Sequence, residues 1–361
     1  MKMPSDIIRE EIVREGEISF ARFMELALYC PETGYYETEK DIVGCRGDFI
    51  TSVSVGSLFG ELLAFQFAEW LDRITKFDQL KIVEAGAHDG KLAADILNWL
   101  RQYRPKLFSQ VEYVILEPSP RRQQWQQKTL SPFSNVRWLE RFNASTSPGV
   151  NGVIFGNELL DAFPVRRWGW DAREKKWFEW GVTLHDDRFC WARILLRPQD
   201  LPFALRQIPT SLLEVLSDGY VLETSPAAEG WWREAAAALS HGKLLAIDYG
   251  YKDDEQIFPA RLKGTLRAYY RHRVSDDLLA YPGQQDLTAH VNFSAIQRVG
   301  EEAGLKTGAW LTQPQFLTRI LDQSVRANAF AGLDAKQTRQ FHTLTHPEHL
   351  GRSFRVLMQE R

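Results

Sequence analysis

Apolar residues recur at helical spacing over Ser57–Ile74 (Leu58, Leu62, Phe65, Trp70), which predicts a helix, and Ile7–Leu28 reads as helical as well. From residue 80 the rhythm changes. Short unbroken apolar runs predict strands at Leu80–Val83, Val111–Leu116, Asn135–Trp138 and Gly152–Phe155, and helices fall between them at Lys91–Leu100 and Arg121–Leu130. Such alternation predicts a parallel sheet covered on both faces. Pro164–Leu196 breaks the pattern. Apolar and polar residues alternate there, interrupted at Asp171-Ala172-Arg173-Glu174 and at His185-Asp186-Asp187, as in an antiparallel β meander. Helix returns at Trp231–Leu239 and a buried strand at Lys243–Ile247. After a polar, aromatic-rich stretch over 252–292, the expected elements are helix Phe293–Ala303 and strands Leu305–Leu311 and Ser353–Met358.

The first strand of the alternating region runs into Glu84-Ala85-Gly86-Ala87-His88-Asp89-Gly90 and then a helix. A strand feeding a glycine-bearing turn into a helix N-terminus is how α/β folds hold an adenosine-type cofactor. Dinucleotide binders use three glycines to cradle a pyrophosphate. Here only Gly86 and Gly90 are present, and a tight turn alone would explain them. Glu117 ends the next strand, where an acid can hold both ribose hydroxyls. Two strand-end acids without a phosphate cradle suit S-adenosylmethionine, a cation without phosphate, better than NAD.

Later strand ends offer further polar groups. Asn157, Glu158 and Asp161 follow the fourth strand, and the two acids there could hold a cationic acceptor or simply cap a helix. Asp248 ends the fifth strand. Asp286 and His290 are candidates for catalysis, and Asn292 is an N-cap candidate for the helix starting at Phe293. His342, His346 and His349 have a spacing seen in some zinc sites, but Pro347 interrupts any helix there and a polar surface segment is the preferred reading; no metal is expected.

Composition narrows the class. The 361 residues carry 44 basic and 47 acidic side chains, a net charge of −3, which argues against a broad nucleic-acid footprint. Three well-separated cysteines (Cys30, Cys45, Cys190) fit neither a disulfide framework nor a CxxC metal site and favour a reducing compartment. The first residues have neither signal-peptide nor transit-peptide character, and no stretch reaches membrane-span length. The expectation is a cytoplasmic protein of bacterial type that does not insert in membranes.

Taken in order, a series of short segments resembles the MidA-like methyltransferase family, the family of the mitochondrial complex I assembly factor that methylates a protein arginine. The series runs through Phe23-Met24-Glu25-Leu26-Ala27-Leu28-Tyr29, Pro31-Glu32-Thr33-Gly34-Tyr35-Tyr36, Gly47-Asp48-Phe49-Ile50-Thr51-Ser52, Phe59-Gly60-Glu61 and Glu117-Pro118-Ser119. It continues with Asn157-Glu158, Asp161-Ala162-Phe163-Pro164-Val165, Ile247-Asp248-Tyr249-Gly250-Tyr251, Gly264-Thr265-Leu266-Arg267-Ala268-Tyr269, Asp286-Leu287-Thr288-Ala289-His290-Val291-Asn292-Phe293 and Gln315-Phe316-Leu317. No single motif decides the matter; their fixed order does.

The resemblance implies an α/β, class I Rossmann-like methyltransferase fold: a seven-stranded, mainly parallel sheet with an N-terminal helical cap (1–77) and a methyltransferase domain (78–361). Insertions are expected at about 165–225, the β meander, and 252–292. It implies S-adenosyl-L-methionine bound by Gly47, Asp48, Phe49, Thr51, Ser52, Glu84, Gly86, His88, Gly90, Glu117, Asn157 and Glu158. The implied reaction is methyl transfer to an arginine guanidinium of a protein substrate, in the family linked to respiratory complex assembly. Glu158 is assigned to hold the guanidinium, with Asp161 second and His290 as proton acceptor. A homodimer is compatible with the sequence. The alternative is a non-catalytic binding or assembly factor on the same fold. It draws on two departures from the family pattern, His88 where a glycine is usual and Val53-Ser54 in place of Pro-Glu; a third departure is Asn292 in place of Asp.

Overall fold

The computed structural model describes residues 2–38, 51–74, 79–142, 149–196, 200–252, 255, 257, 261–271, 273–329 and 332–361. The chain divides into two compact units: residues 41–160, 231–250 and 297–361 form one, and residues 1–40, 161–230 and 251–296 form the other.

The first unit contributes seven strands to its sheet: β1 (Leu80–Ala85), β2 (Val111–Leu116), β3 (Val136–Leu139), β4 (Val150–Asn157), β5 (Leu239–Tyr251), β6 (Lys306–Thr312) and β7 (Phe354–Glu360). Their order across the sheet is β6-β7-β5-β4-β1-β2-β3. The pairs from β5 through β3 are parallel, and β7 runs antiparallel to both of its neighbours. The chain therefore steps outward from β1 to β3 and returns to the other side of β1 at β4, which makes the β1/β4 boundary the switch point where such sheets bind ligands. The register is also informative. Ala85 pairs with Leu116 and with Gly156, so Gly86, Glu117 and Asn157 stand level at three adjacent strand ends.

Helices Leu58–Leu71 and Lys91–Tyr103 close one core of this unit. Leu58, Leu62 and Phe65 pack with Ile96, Leu100, Ile82 and Phe155, all at most 1% exposed. Leu58–Leu71 was expected within an N-terminal cap; its nearly unbroken apolar surface instead packs it into the core of the sheet unit. Two further helices, Gln313–Arg326 and Ala335–Thr345, add Phe316, Leu317, Ile320 and Leu344 to the same core.

The second unit gathers the N-terminal helices Pro4–Glu15 and Phe20–Tyr29 with the two insertions. The expected meander is formed by strands Arg166–Asp171, Lys176–His185 and Arg188–Ile194, extended at its edges by Val221–Thr224 and Ile18–Ser19. Trp168, Trp170 and Trp177 are buried among Leu205, Leu216, Tyr220 and Leu222, so these three tryptophans are core. Strands Arg267–Tyr270, Arg273–Ser275 and Asp286–Thr288 make a small antiparallel sheet within the second insertion. Among the described residues no helix is long and apolar enough to cross a membrane.

Candidate active site

The strand ends of the sheet unit bring together most of the expected cofactor residues. Gly86 (φ +74°) and Gly90 (φ +84°) take left-handed backbone at either end of the turn, and a side chain at Gly86 would meet Leu159 Cδ1 at 2.9 Å. His88 also has φ +46°. The turn thus holds glycine-like backbone geometry at a histidine, at a conformational cost of about 1 kcal/mol. Its imidazole is part-exposed, 3.7 Å from Asp89 Oδ1. Asp89 in turn accepts from the Lys91 N–H at the helix start.

Glu84 is buried, and the Tyr113 hydroxyl donates to its Oε2 at 2.6 Å. Burial pushes this carboxyl up to about 8, against the opposing effect of the Tyr113 bond. Glu84 is therefore a protonated, internally paired acid near neutral pH. Glu117 is buried at the end of β2. Its Oε1 accepts from the Ser119 N–H at 3.0 Å, its Oε2 accepts from Gln126 Nε2 at 3.0 Å, and Arg122 Nη1 lies 3.5 Å from Oε2.

Beyond β4 the backbone turns sharply at Glu158, which has φ +50°. Asp248 holds the turn: its Oδ2 accepts from the Leu159 and Leu160 N–H groups at 3.1 and 2.8 Å, while the Glu158 N–H donates to the Ile247 carbonyl. Glu158 Oε1 accepts from the Ser52 N–H at 3.0 Å and from Asn157 Nδ2 at 3.2 Å. Its Oε2, and Asn157 Oδ1, are buried without a hydrogen-bond partner among the described residues. Burial of the carboxyl, reinforced by the charge of Asp248, pushes Glu158 up to about 8. Asn157 Oδ1, level with Gly86 and Glu117, is an enclosed acceptor that fits a ligand hydroxyl or ammonium group, and Glu158 Oε2 is open to a cation when its carboxyl ionises. Thr51 and Ser52 belong to the same unit, and Ser52 is fully buried. Gly47, Asp48 and Phe49 lie outside the described residues.

Asp161 and His290 fall in the second unit. The Ala289 N–H donates to the Asp161 carbonyl at 2.9 Å, and the His290 N–H donates to Thr265 Oγ1 at 3.1 Å. Thr265 donates from both its N–H and its hydroxyl to Glu223 Oε2. In the same unit the Tyr36 hydroxyl donates to Asp286 Oδ1 at 2.8 Å. In the meander three of the chain's own guanidinium groups lie over rings: Arg166 over Trp168, Arg167 over Trp191 and Arg193 over Phe178. His342, His346 and His349 cluster at the end of Ala335–Thr345, yet among the described residues no group of three or more His, Cys, Asp or Glu is arranged to hold a metal ion.

Sequence reasoning missed the work of Tyr113, Gln126 and Asp248. Asp248 stood in a strand-end motif and could have been found there. Gln126 is one of several glutamines in a polar helix, and nothing local distinguishes it.

Comparison with known proteins agrees with this geometry. Residues 62–310 match the model of a family described as "Putative S-adenosyl-L-methionine-dependent methyltransferase". A Burkholderia thailandensis protein solved with S-adenosyl-homocysteine bound is 32% identical, covering 99% of this chain and 92% of that one, with a TM-score of 0.85. Among curated proteins, the zebrafish (Danio rerio) "Protein arginine methyltransferase NDUFAF7, mitochondrial" is 26% identical over 96% of this chain and 84% of its own length. The human protein of that name is 28% identical over 81% of this chain and 67% of its own length.

Proposed function

This chain belongs to that family of S-adenosyl-L-methionine-dependent methyltransferases, and from this premise we infer that its acceptor is an arginine side chain of a protein. The observation that carries the inference is the match to relatives named as protein arginine methyltransferases across nearly the whole chain, both insertions included. The cofactor supplies an electrophilic methyl group on a sulfonium, and its thioether product leaves.

In this reading Gly86, His88 and Gly90 line the cofactor by their backbone, Glu117 takes its ribose hydroxyls, and Asn157, with Thr51 and Ser52, completes the wall. Glu84 acts from beneath the turn through its bond to Tyr113. Glu158 holds the guanidinium. Arginine stays protonated in water, so an acceptor nitrogen must be oriented and its charge matched before it can be methylated. The reducing compartment favoured by the separate cysteines is, in this reading, the cytoplasm, and fractionation of host cells checks it.

Incubation with labelled S-adenosylmethionine and host lysate, followed by location of the label, tests the acceptor. Label on a protein arginine is expected; label on lysine or on a small molecule overturns the reading.

A further inference from the structure

The geometry points to Gln126 as the residue that positions the cofactor turn, with one amide clamping the His88 carbonyl to the Glu117 carboxylate. This rests on reading Glu84–Gly90 and Glu117 as cofactor-binding segments. Gln126 is fully buried, and it is the buried residue of the otherwise polar helix Pro120–Thr129. Its Nε2 donates to the His88 carbonyl and to Glu117 Oε2, both at 3.0 Å. Its Oε1 accepts from Trp138 Nε1 at 3.0 Å.

The indole N–H can only donate, so it fixes which end of the amide carries oxygen, and both amide protons are then committed. A buried amide with every bond in place resists rotation. The turn also sits close against this helix: a Cβ on Gly90 would come 3.4 Å from Gln126 Cα. The clamp therefore sets the spacing between two adjacent strand ends, the turn after β1 and the acid after β2. It matters more here than it would beside a glycine. His88 holds left-handed backbone that an L side chain rarely adopts, and the Gln126 bond is what fastens the carbonyl of that residue. Preorganisation of this kind raises affinity by reducing what must be ordered on binding.

Calorimetric titration of the full chain with S-adenosyl-homocysteine tests the clamp. Gln126→Met keeps the volume and removes the bonds, and about tenfold weaker binding is expected. His88→Gly frees the backbone at positive φ, so in that background the same substitution should cost only about threefold. A role in packing alone would lower the melting temperature equally in both backgrounds and leave the affinity of the folded protein unchanged. If Gln126→Met does not fold, Trp138→Phe removes the orienting donor together with part of the ring and should weaken binding in the same direction, again relieved by His88→Gly. Unchanged affinity, or an equal penalty in both backgrounds, overturns the clamp while wild-type binding stands. A wild-type chain that fails to bind overturns the cofactor reading itself, and the clamp with it.

Discussion

Tyr113 donates its hydroxyl proton to Glu84 across 2.6 Å, between neighbouring parallel strands and away from solvent. The pair gives this strand-end acid a partner on the neighbouring strand.

Stability should therefore depend on pH through Glu84. Its folded value is raised to about 8, so the stabilising contribution of its protonated form is complete below the unfolded value near 4.3 and is lost as pH rises through about 8. Between those limits Glu84→Gln should flatten the fall in stability by up to one proton's worth, roughly 1.4 kcal/mol per pH unit. Urea unfolding at pH 5 and pH 8 measures it. Glu158 titrates in the same direction, so a residual slope is expected.

Glu158→Gln should cut arginine methylation by about 100-fold, far more than it weakens cofactor binding. The carboxylate form attracts the cation, and burial holds the group protonated to about pH 8. Wild-type kcat/KM should rise with pH through that value and then level, whereas the variant should be flat over the same window. A wild-type turnover rate in Glu158→Gln would remove the assigned role.

Asp248→Ala strips the acceptor from the Leu159 and Leu160 N–H groups, the latter in a buried residue. A loss of about 2–3 kcal/mol is expected, read as a lower urea midpoint at unchanged m. Turnover should fall with it, because the Glu158 turn loses its support. Asp248→Asn, which keeps one acceptor, should recover part of both.

Gly264 has φ +78°, and a Cβ there would lie 1.9 Å from Glu223 Oε1. Gly264→Ala should destabilise by at least about 1–2 kcal/mol from the backbone conformation, before any displacement of Glu223. Thr265 links Glu223 to the His290 backbone, so displacing Glu223 should loosen that network and add to the backbone cost. A urea-unfolding loss no larger than the backbone cost would show that Glu223 does not support the fold at this turn.

Sequence periodicity by itself determined the alternating strands and helices, the meander and the strand-end positions of Glu84, Glu117 and Glu158, because backbone hydrogen bonding and the burial of apolar faces act over a few residues. Helices Gln313–Arg326 and Ala335–Thr345 escaped that reading, since buried apolar positions are sparse in them and are mixed with polar positions such as Gln313 and Gln340. Only the tertiary structure decided which partners each acid has. Burial keeps Glu84 protonated against the opposing bond from a tyrosine of the next strand, while Glu158, raised likewise, keeps an enclosed oxygen without a donor among the described residues. The two look alike in the chain, but a carboxyl group's charge is set by what surrounds it, and those neighbours come from segments far apart: Ser52 meets Glu158 from 106 residues away.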